Sequence, residues 1–185
     1  MSRRLAQGFT PSAPAVPHGG APASGAAVVI ALGANLGDRH DLIRSAIADL
    51  RRLPMTSDVV ASEPLESIAV TLSGPDPSAP PYVNAVALAT TRLAPSVLLR
   101  ELHAIEARHG RERRERWGDR TLDLDLIAYG DLRSTDPALL VPHPRAAERD
   151  FVLAPWLSID PDAVLPGHGR VADLLAALRR TETAS

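Results

Sequence analysis

The 185-residue chain contains no cysteine and no lysine. Without cysteine there is no disulfide, no thiolate nucleophile and no Cys-ligated zinc, a pattern that fits a reducing cytoplasm. Without lysine there is no Schiff-base chemistry and no Walker-type phosphate loop, which needs its lysine. All twenty strongly basic side chains are arginine. Nucleotide phosphates, if this chain handles them, must therefore meet guanidinium groups and metal. Aromatics are also scarce, with two Trp, two Tyr and two Phe, so one in a polar setting is informative. The formal net charge is −2; nothing global points to nucleic acid or to a membrane, and no apolar run reaches the length of a span.

The chemistry concentrates in Arg111-Glu-Arg-Arg-Glu-Arg-Trp-Gly-Asp-Arg-Thr-Leu-Asp-Leu-Asp-Leu-Ile-Ala128. From Thr121 to Ile127 polar and apolar residues alternate, the period of a half-buried strand. Leu122, Leu124 and Leu126 fill one face, while Thr121, Asp123 and Asp125 take the other. The two carboxylates then stand roughly 6–7 Å apart along the strand. Like charges that close repel, but paired carboxylates on a rigid strand suit Mg²⁺, which completes its shell with substrate phosphates. Just upstream, Arg111, Arg113, Arg114, Arg116 and Arg120 carry the forked donors that match phosphate oxygens. A solvated strand face behind a charged loop is the alternative. The arginines and the Trp117-Gly118 turn favour a polyphosphate site.

Around this stretch the pattern is mixed. Residues 1–26, rich in Ala, Pro, Gly and Ser, are expected to be a disordered leader. Residues 27–180 are expected to form one domain, and 181–185 a disordered tail. Ala27 to Leu32 reads as a buried strand running into a glycine turn, Gly33-Ala-Asn-Leu-Gly37, with Asp38 able to cap a helix reaching Leu53. Thr56 to Ser62 reads as a second strand, and residues 65–81 as a long loop of the lid or binding kind. Tyr82 to Thr91 reads as a third strand, with Tyr82 and Asn84 sharing one face and Val83, Ala85 and Ala87 the other. A helix opens at Ala94-Pro95, carries Glu106 near its end and stops at His109-Gly110. Residues 131–140 read as irregular, Arg145 to Leu157 as helical in patches with Trp156 in the core, and Val171 to Arg180 as a packing helix. Strand, helix, strand, strand, helix, strand is most simply an α+β ferredoxin-like sandwich, with two helices on one face of a mainly antiparallel four-stranded sheet.

Several of these pieces together resemble the 6-hydroxymethyl-7,8-dihydropterin pyrophosphokinase family. The matching residues are Gly33-Ala-Asn-Leu-Gly-Asp38, Tyr82-Val-Asn-Ala-Val86, Gly110-Arg111 with Arg113, and Arg116-Trp-Gly-Asp-Arg-Thr-Leu-Asp-Leu-Asp-Leu126. Val141-Pro-His-Pro144 and Arg149-Asp-Phe151 complete the set. The resemblance implies transfer of pyrophosphate from ATP to the dihydropterin hydroxymethyl group, leaving AMP. It implies that Asp123 and Asp125 bind two Mg²⁺ ions and that Arg111, Arg113, Arg116 and Arg120 clamp the triphosphate. Glu106, Trp117, Leu126, His143 and Arg149 would then line the ATP site, and Pro64, Leu65, Tyr82, Asn84 and Phe151 the pterin site. Neither nucleic acid nor a membrane is an expected partner, and a monomer is compatible. Two departures stand out: Asp119 occupies a position where the family commonly has proline, and the 65–81 loop is longer than usual.

Two rivals come from other classes. The same architecture serves RNA recognition, but there aromatics on central strands stack on bases, and here that strand presents aspartates. A Mg²⁺-dependent phosphohydrolase would use the same carboxylates and need no pterin. The sorting of the arginines gives the first testable expectation. Arg120→Ala should cut turnover strongly and Arg114→Ala little; equal losses in a steady-state assay would show the segment to be mis-sorted.

Overall fold

The run from Ala27 to Leu32 forms strand β1 (Ala26–Ala34), and it is continuously apolar because both faces of that strand are covered. The computed structural model describes residues 25–67, 69–71, 74–76, 81–110 and 121–183. Past β1 the chain turns through Gly37, whose φ of 66° is a left-handed conformation natural to glycine. The Asp38 side chain then caps helix α1 (Arg39–Arg52), accepting the Asp41 N–H at 3.0 Å. Ile43, Ala46, Ile47 and Leu50 form the helix's buried stripe. Strand β2 (Thr56–Ala61) follows. The stretch expected as a long loop holds more order than that: β3 (Leu65–Ser67) and a hairpin of β4 (Ala69–Thr71) and β5 (Gly74–Asp76).

Strand β6 (Tyr82–Thr91) and helix α2 (Pro95–Arg108) stand where the sequence pattern puts them, while strand β7 (Asp123–Tyr129) begins and ends two residues later than the alternation from Thr121 to Ile127. Residues 131–140, read as irregular, instead contain the hairpin β8 (Ser134–Asp136) and β9 (Leu139–Val141). Three-residue strands are too short for alternation to register. A 3₁₀ turn at Ala146–Glu148 leads into α3 (Asp150–Ile159). A two-residue ladder of β10 (Val164–Leu165) and β11 (Gly169–Arg170) precedes α4 (Val171–Thr183). Helix α4 thus continues into residues expected as a tail, and Ala26, expected as the end of the leader, already belongs to β1.

The main sheet runs β2-β6-β1-β7, antiparallel throughout, with β3 also paired to β6. Helices α1 and α2 cover one face, burying Val28, Ile30, Leu32, Val83, Ala85, Leu122, Leu124 and Leu126 beneath them. This is the expected α+β ferredoxin-like sandwich. The other face, to which the sequence assigned no helix, is partly covered as well: Val29, Val86, Ile127 and Ala128 pack against Val152, Leu153 and Trp156 of α3 and Val171 and Leu175 of α4. A register shift opposite Val29 and Ile30 makes this possible. It lets Ile127 and Ala128 both face the second core, where strict alternation would have sent one of them away.

The far ends of α1 and α2 meet at Asp49, whose carboxylate lies 3.0 Å from His109 Nε2 and 3.4 Å from both Arg108 and Arg52. Partial burial raises the pKa of Asp49, but the hydrogen bond from His109 and the charge of Arg108 together outweigh it and hold it below the ordinary 3.8. A folded-state pKa below the unfolded one stabilises the fold above the unfolded value, and that support is lost as pH falls through the folded value. Asp49→Asn should therefore lower stability at neutral pH, and the gap to the parent should close below about pH 3.8. Urea unfolding across that range measures it; a gap independent of pH would sever the link to ionisation.

Candidate active site

The register of the three inner strands builds the site. Gly33 of β1 pairs with Asn84 of β6 on one side and Asp123 of β7 on the other, and Ala31 pairs with Val86 and Asp125. Directly opposed residues share a face, so Asn84, Gly33 and Asp123 form one row and Val86, Ala31 and Asp125 the next. Leu65 of β3 extends the first row beyond Asn84. The separate sequence readings of a carboxylate face and a Tyr-Asn face thus describe a single surface. Gly33 is what keeps it open at the centre: a Cβ there would stand 3.3 Å from Asn84 Oδ1.

Asp123 and Asp125 are half-buried at the exposed end of this face, while Leu122, Leu124 and Leu126 are buried on the other. Leu126 therefore packs into the core on the side opposite the aspartates, and only its backbone is available to a nucleotide. Glu106 is buried too, at 1% exposure, and its Oε1 accepts the Leu124 N–H at 2.8 Å. Its carboxylate lies under the Asp strand and fixes α2 against it, rather than standing among the aspartates.

One oxygen of Asp125 gathers the remaining groups. Arg149 Nη1 donates to Asp125 Oδ2 at 3.1 Å, and His143 Nε2 lies 3.8 Å from the same atom. The His143 backbone N–H donates to the carbonyl of Ile127, at the register shift, at 2.9 Å. Its Nδ1 accepts the Arg145 N–H at 3.2 Å, which places the ring proton on Nε2, facing Asp125. Burial pushes the imidazole pKa below 6.5, helped by Arg149 and Arg145 and opposed by Asp125 and Asp123. The ring is thus neutral at pH 7.

Arg149 is the residue before α3, and its carbonyl accepts the Val152 and Leu153 N–H groups at 3.0 Å each. Its guanidinium carbon lies 5.6 Å from the centre of the Phe151 ring, within cation–π range. Phe151 is half-buried against the second core. Tyr82 is half-buried at the start of β6, and Leu65 remains 43% exposed. Asn84 is buried, and its Nδ2 donates to Ser67 Oγ at 2.7 Å. Pro64 lies where the chain passes from β2 to β3. There Ser62 takes both halves of a backbone pairing with Val86, donating its N–H at 2.9 Å and accepting the Val86 N–H on Oγ at 3.0 Å.

Sequence reasoning missed Ser62, Ser67 and Arg39. Arg39 reaches the Pro81 carbonyl and lies 3.5 Å from Glu66, tying together the two ends of the expected long loop. No periodicity marks such residues, because their partners are set by strand register. Arg111, Arg113, Arg114, Arg116, Trp117, Asp119 and Arg120 lie outside the described residues.

Two aspartates on one strand, with small residues beside them, are the donor set expected for a hard divalent ion that takes its other ligands from phosphate and water. Among the described residues no three His, Asp or Glu side chains gather into a fuller cage. A concavity of about 320 Å³ lined by Met55, Thr56, Ser57, Thr90 and Arg92 lies at the opposite end of the sheet, away from this chemistry. Among the described residues no helix is long and apolar enough to cross a membrane.

The profile of the 7,8-dihydro-6-hydroxymethylpterin-pyrophosphokinase family matches residues 29–161. The chain is 43% identical over 150 residues to the 2-amino-4-hydroxy-6-hydroxymethyldihydropteridine pyrophosphokinase of Pseudomonas aeruginosa, covering 81% of this chain and 90% of that one. To the protein of the same name from Haemophilus influenzae it is 39% identical over 146 residues, with 79% and 89% covered. Among solved structures, wild-type HPPK-DHPS of Plasmodium falciparum superposes with a TM-score of 0.64 at 11% identity, over 87% of this chain. This chain spans only 42% of that longer one, and the likeness concerns the fold alone. By sequence, the chain belongs to the 7,8-dihydro-6-hydroxymethylpterin-pyrophosphokinase family.

Proposed function

We propose that this chain transfers pyrophosphate from ATP to the hydroxymethyl group of 6-hydroxymethyl-7,8-dihydropterin, giving AMP and the pterin diphosphate, as a Mg²⁺-dependent enzyme of folate biosynthesis in the cytoplasm. The observation that carries the reading is the row Asn84–Gly33–Asp123. It sets an amide able to read a heterocycle's edge two strands from a carboxylate able to hold a metal. Neighbouring strands are about 4.8 Å apart, so the two sites are separated by roughly 10 Å, a span that suits one substrate lying beside the other's phosphate chain.

In this reading the pterin ring stacks against Tyr82 and Phe151, with Asn84 on its edge and Pro64 and Leu65 along one side. The pterin hydroxyl oxygen attacks the β-phosphorus of ATP as its proton passes to water, and the bond from that phosphorus to the α-phosphate bridging oxygen breaks, so AMP leaves. Such transfer asks for in-line placement and for charge neutralisation more than for covalent help. Two Mg²⁺ ions on Asp123 and Asp125 would neutralise and orient the triphosphate. Arg111, Arg113, Arg116 and Arg120 supply guanidiniums to the outer oxygens, and Trp117 stands between the substrates. His143, neutral with its proton on Nε2, offers a donor without adding charge, and Arg149 offers the charged one. Glu106 acts from beneath by fixing Leu124, and with it the height of both aspartates.

Product analysis tests the reading: ATP should become AMP only when Mg²⁺ and the dihydropterin are both supplied. Formation of ADP, or turnover without pterin, would favour the phosphohydrolase instead. Asp123→Ala and Asp125→Ala should each cost about a hundredfold or more in kcat with the fold retained by circular dichroism; near-normal rates in both would remove the metal site. Glu106→Ala should destabilise the protein by about 1–3 kcal/mol, because it strands the buried Leu124 N–H. Glu106→Gln keeps an acceptor and should lose less, and equal melting temperatures in the two variants would show that the bond carries no weight.

A further inference from the structure

The contacts of Arg149 go beyond a place in an ATP site. Its guanidinium bonds Oδ2 of Asp125, one of the two oxygens this carboxylate can offer a metal, at 3.1 Å, and the pair is mostly buried, with side-chain exposures of 19% and 33%. An ion pair sheltered this far is screened less by salt than a surface pair. The Arg149 backbone is pinned, since its carbonyl holds the first turn of α3, so only the side chain is free to swing. The Phe151 ring beside it offers an aromatic face, and a planar guanidinium can slide over such a face and keep part of its stabilisation.

We propose that Arg149 holds Asp125 in place of a metal until a phosphate chain draws the guanidinium away, so that metal and nucleotide bind as one coupled pair. The inference rests on the pyrophosphokinase reading for the identity of the phosphate donor, but the coupling itself follows from electrostatics. A divalent cation on either oxygen of Asp125 would stand close to a guanidinium already bonded to the same carboxylate, and the two like charges repel. Metal arriving alone must displace Arg149 into solvent or against its own charge. Metal arriving with a triphosphate gives Arg149 a new anionic partner at the moment the old one is taken. Binding free energies are reciprocal: whatever the nucleotide adds to metal affinity, the metal adds to nucleotide affinity.

The test is binding, not turnover. Mn²⁺ is titrated into the full chain by electron paramagnetic resonance, first alone and then with a non-hydrolysable ATP analogue. Arg149→Met should bind Mn²⁺ alone roughly fivefold or more tightly than the parent, and the further gain on adding the analogue should shrink. Arg149→Lys, which keeps the charge but not the fork, should fall between the two and serves if Arg149→Met does not fold. In an Asp125→Asn background the advantage should vanish. Mn²⁺ affinities within twofold of the parent in both variants, an advantage that persists without Asp125, or no measurable Mn²⁺ binding by Arg149→Met would each overturn the proposal. The product assay is separate: coupled Mn²⁺ binding without AMP formation would sink the pyrophosphokinase reading and leave the coupling standing.

Discussion

Two carboxylates spaced by one residue on the same strand face repel each other, and the rest of the site is arranged around keeping them there. The strand cannot relieve the repulsion by twisting away. Its alternate residues, Leu122, Leu124 and Leu126, are buried under α1 and α2, and turning Asp123 or Asp125 inward would expose a leucine on the opposite side. Burying a leucine-sized side chain is worth about 1.5–3 kcal/mol. Three of them outweigh the repulsion of two partly solvated charges, which is of the order of 1 kcal/mol at this spacing with water close by. Glu106 adds a further constraint by binding the Leu124 N–H from below. The acids therefore stay on the open face of the strand, and the core supplies the free energy that holds them there.

The second core decides what the acids face. Had the far side of the sheet stayed bare, Asp123 and Asp125 would point into bulk water. Instead α3 and α4 cover the part of that face made by Val29, Val86, Ile127 and Ala128, and Arg149, at the start of α3, reaches Asp125 beside it. The register shift at Ile127 is the hinge of this arrangement. It delivers two consecutive residues to one core, and the Ile127 carbonyl at that place takes the His143 N–H. A local irregularity thereby positions a ring that lies 3.8 Å from Asp125.

Much of this was legible in the chain, for identifiable reasons. The alternation from Thr121 to Ile127 survives folding because one face is buried and the other is not, and α1 is recognisable from Asp38 and its four-residue stripe. The short hairpin of β8 and β9 was not legible, since three residues cannot display a period, and neither was the covering of the second face. That covering depends on Ala128 turning to the same side as Ile127, and in the sequence Leu126-Ile-Ala128 is only an apolar run. The ion pair between Arg149 and Asp125 was equally hidden: residues 24 apart are brought together by α3 crossing the sheet. Leu126 and Glu106 show the opposite limit: both were expected to line a nucleotide site, and burial, which neither residue type announces, turns the Leu126 side chain into the core and the Glu106 carboxylate onto the Leu124 N–H.

The lysine-free composition acquires a physical meaning at Arg149. The position holds a cation that is partly buried, bonds the Asp125 carboxylate and rests near the Phe151 ring, and the proposed exchange adds a phosphate as its second partner. A lysine ammonium is more strongly hydrated, titrates more readily when buried and offers no plane to stack. It would pay more desolvation at Asp125 and gain less from Phe151. A guanidinium is the group whose geometry fits carboxylate, phosphate and ring alike, so the exchange of one anionic partner for another needs only a rotation of the side chain about a backbone already fixed by α3.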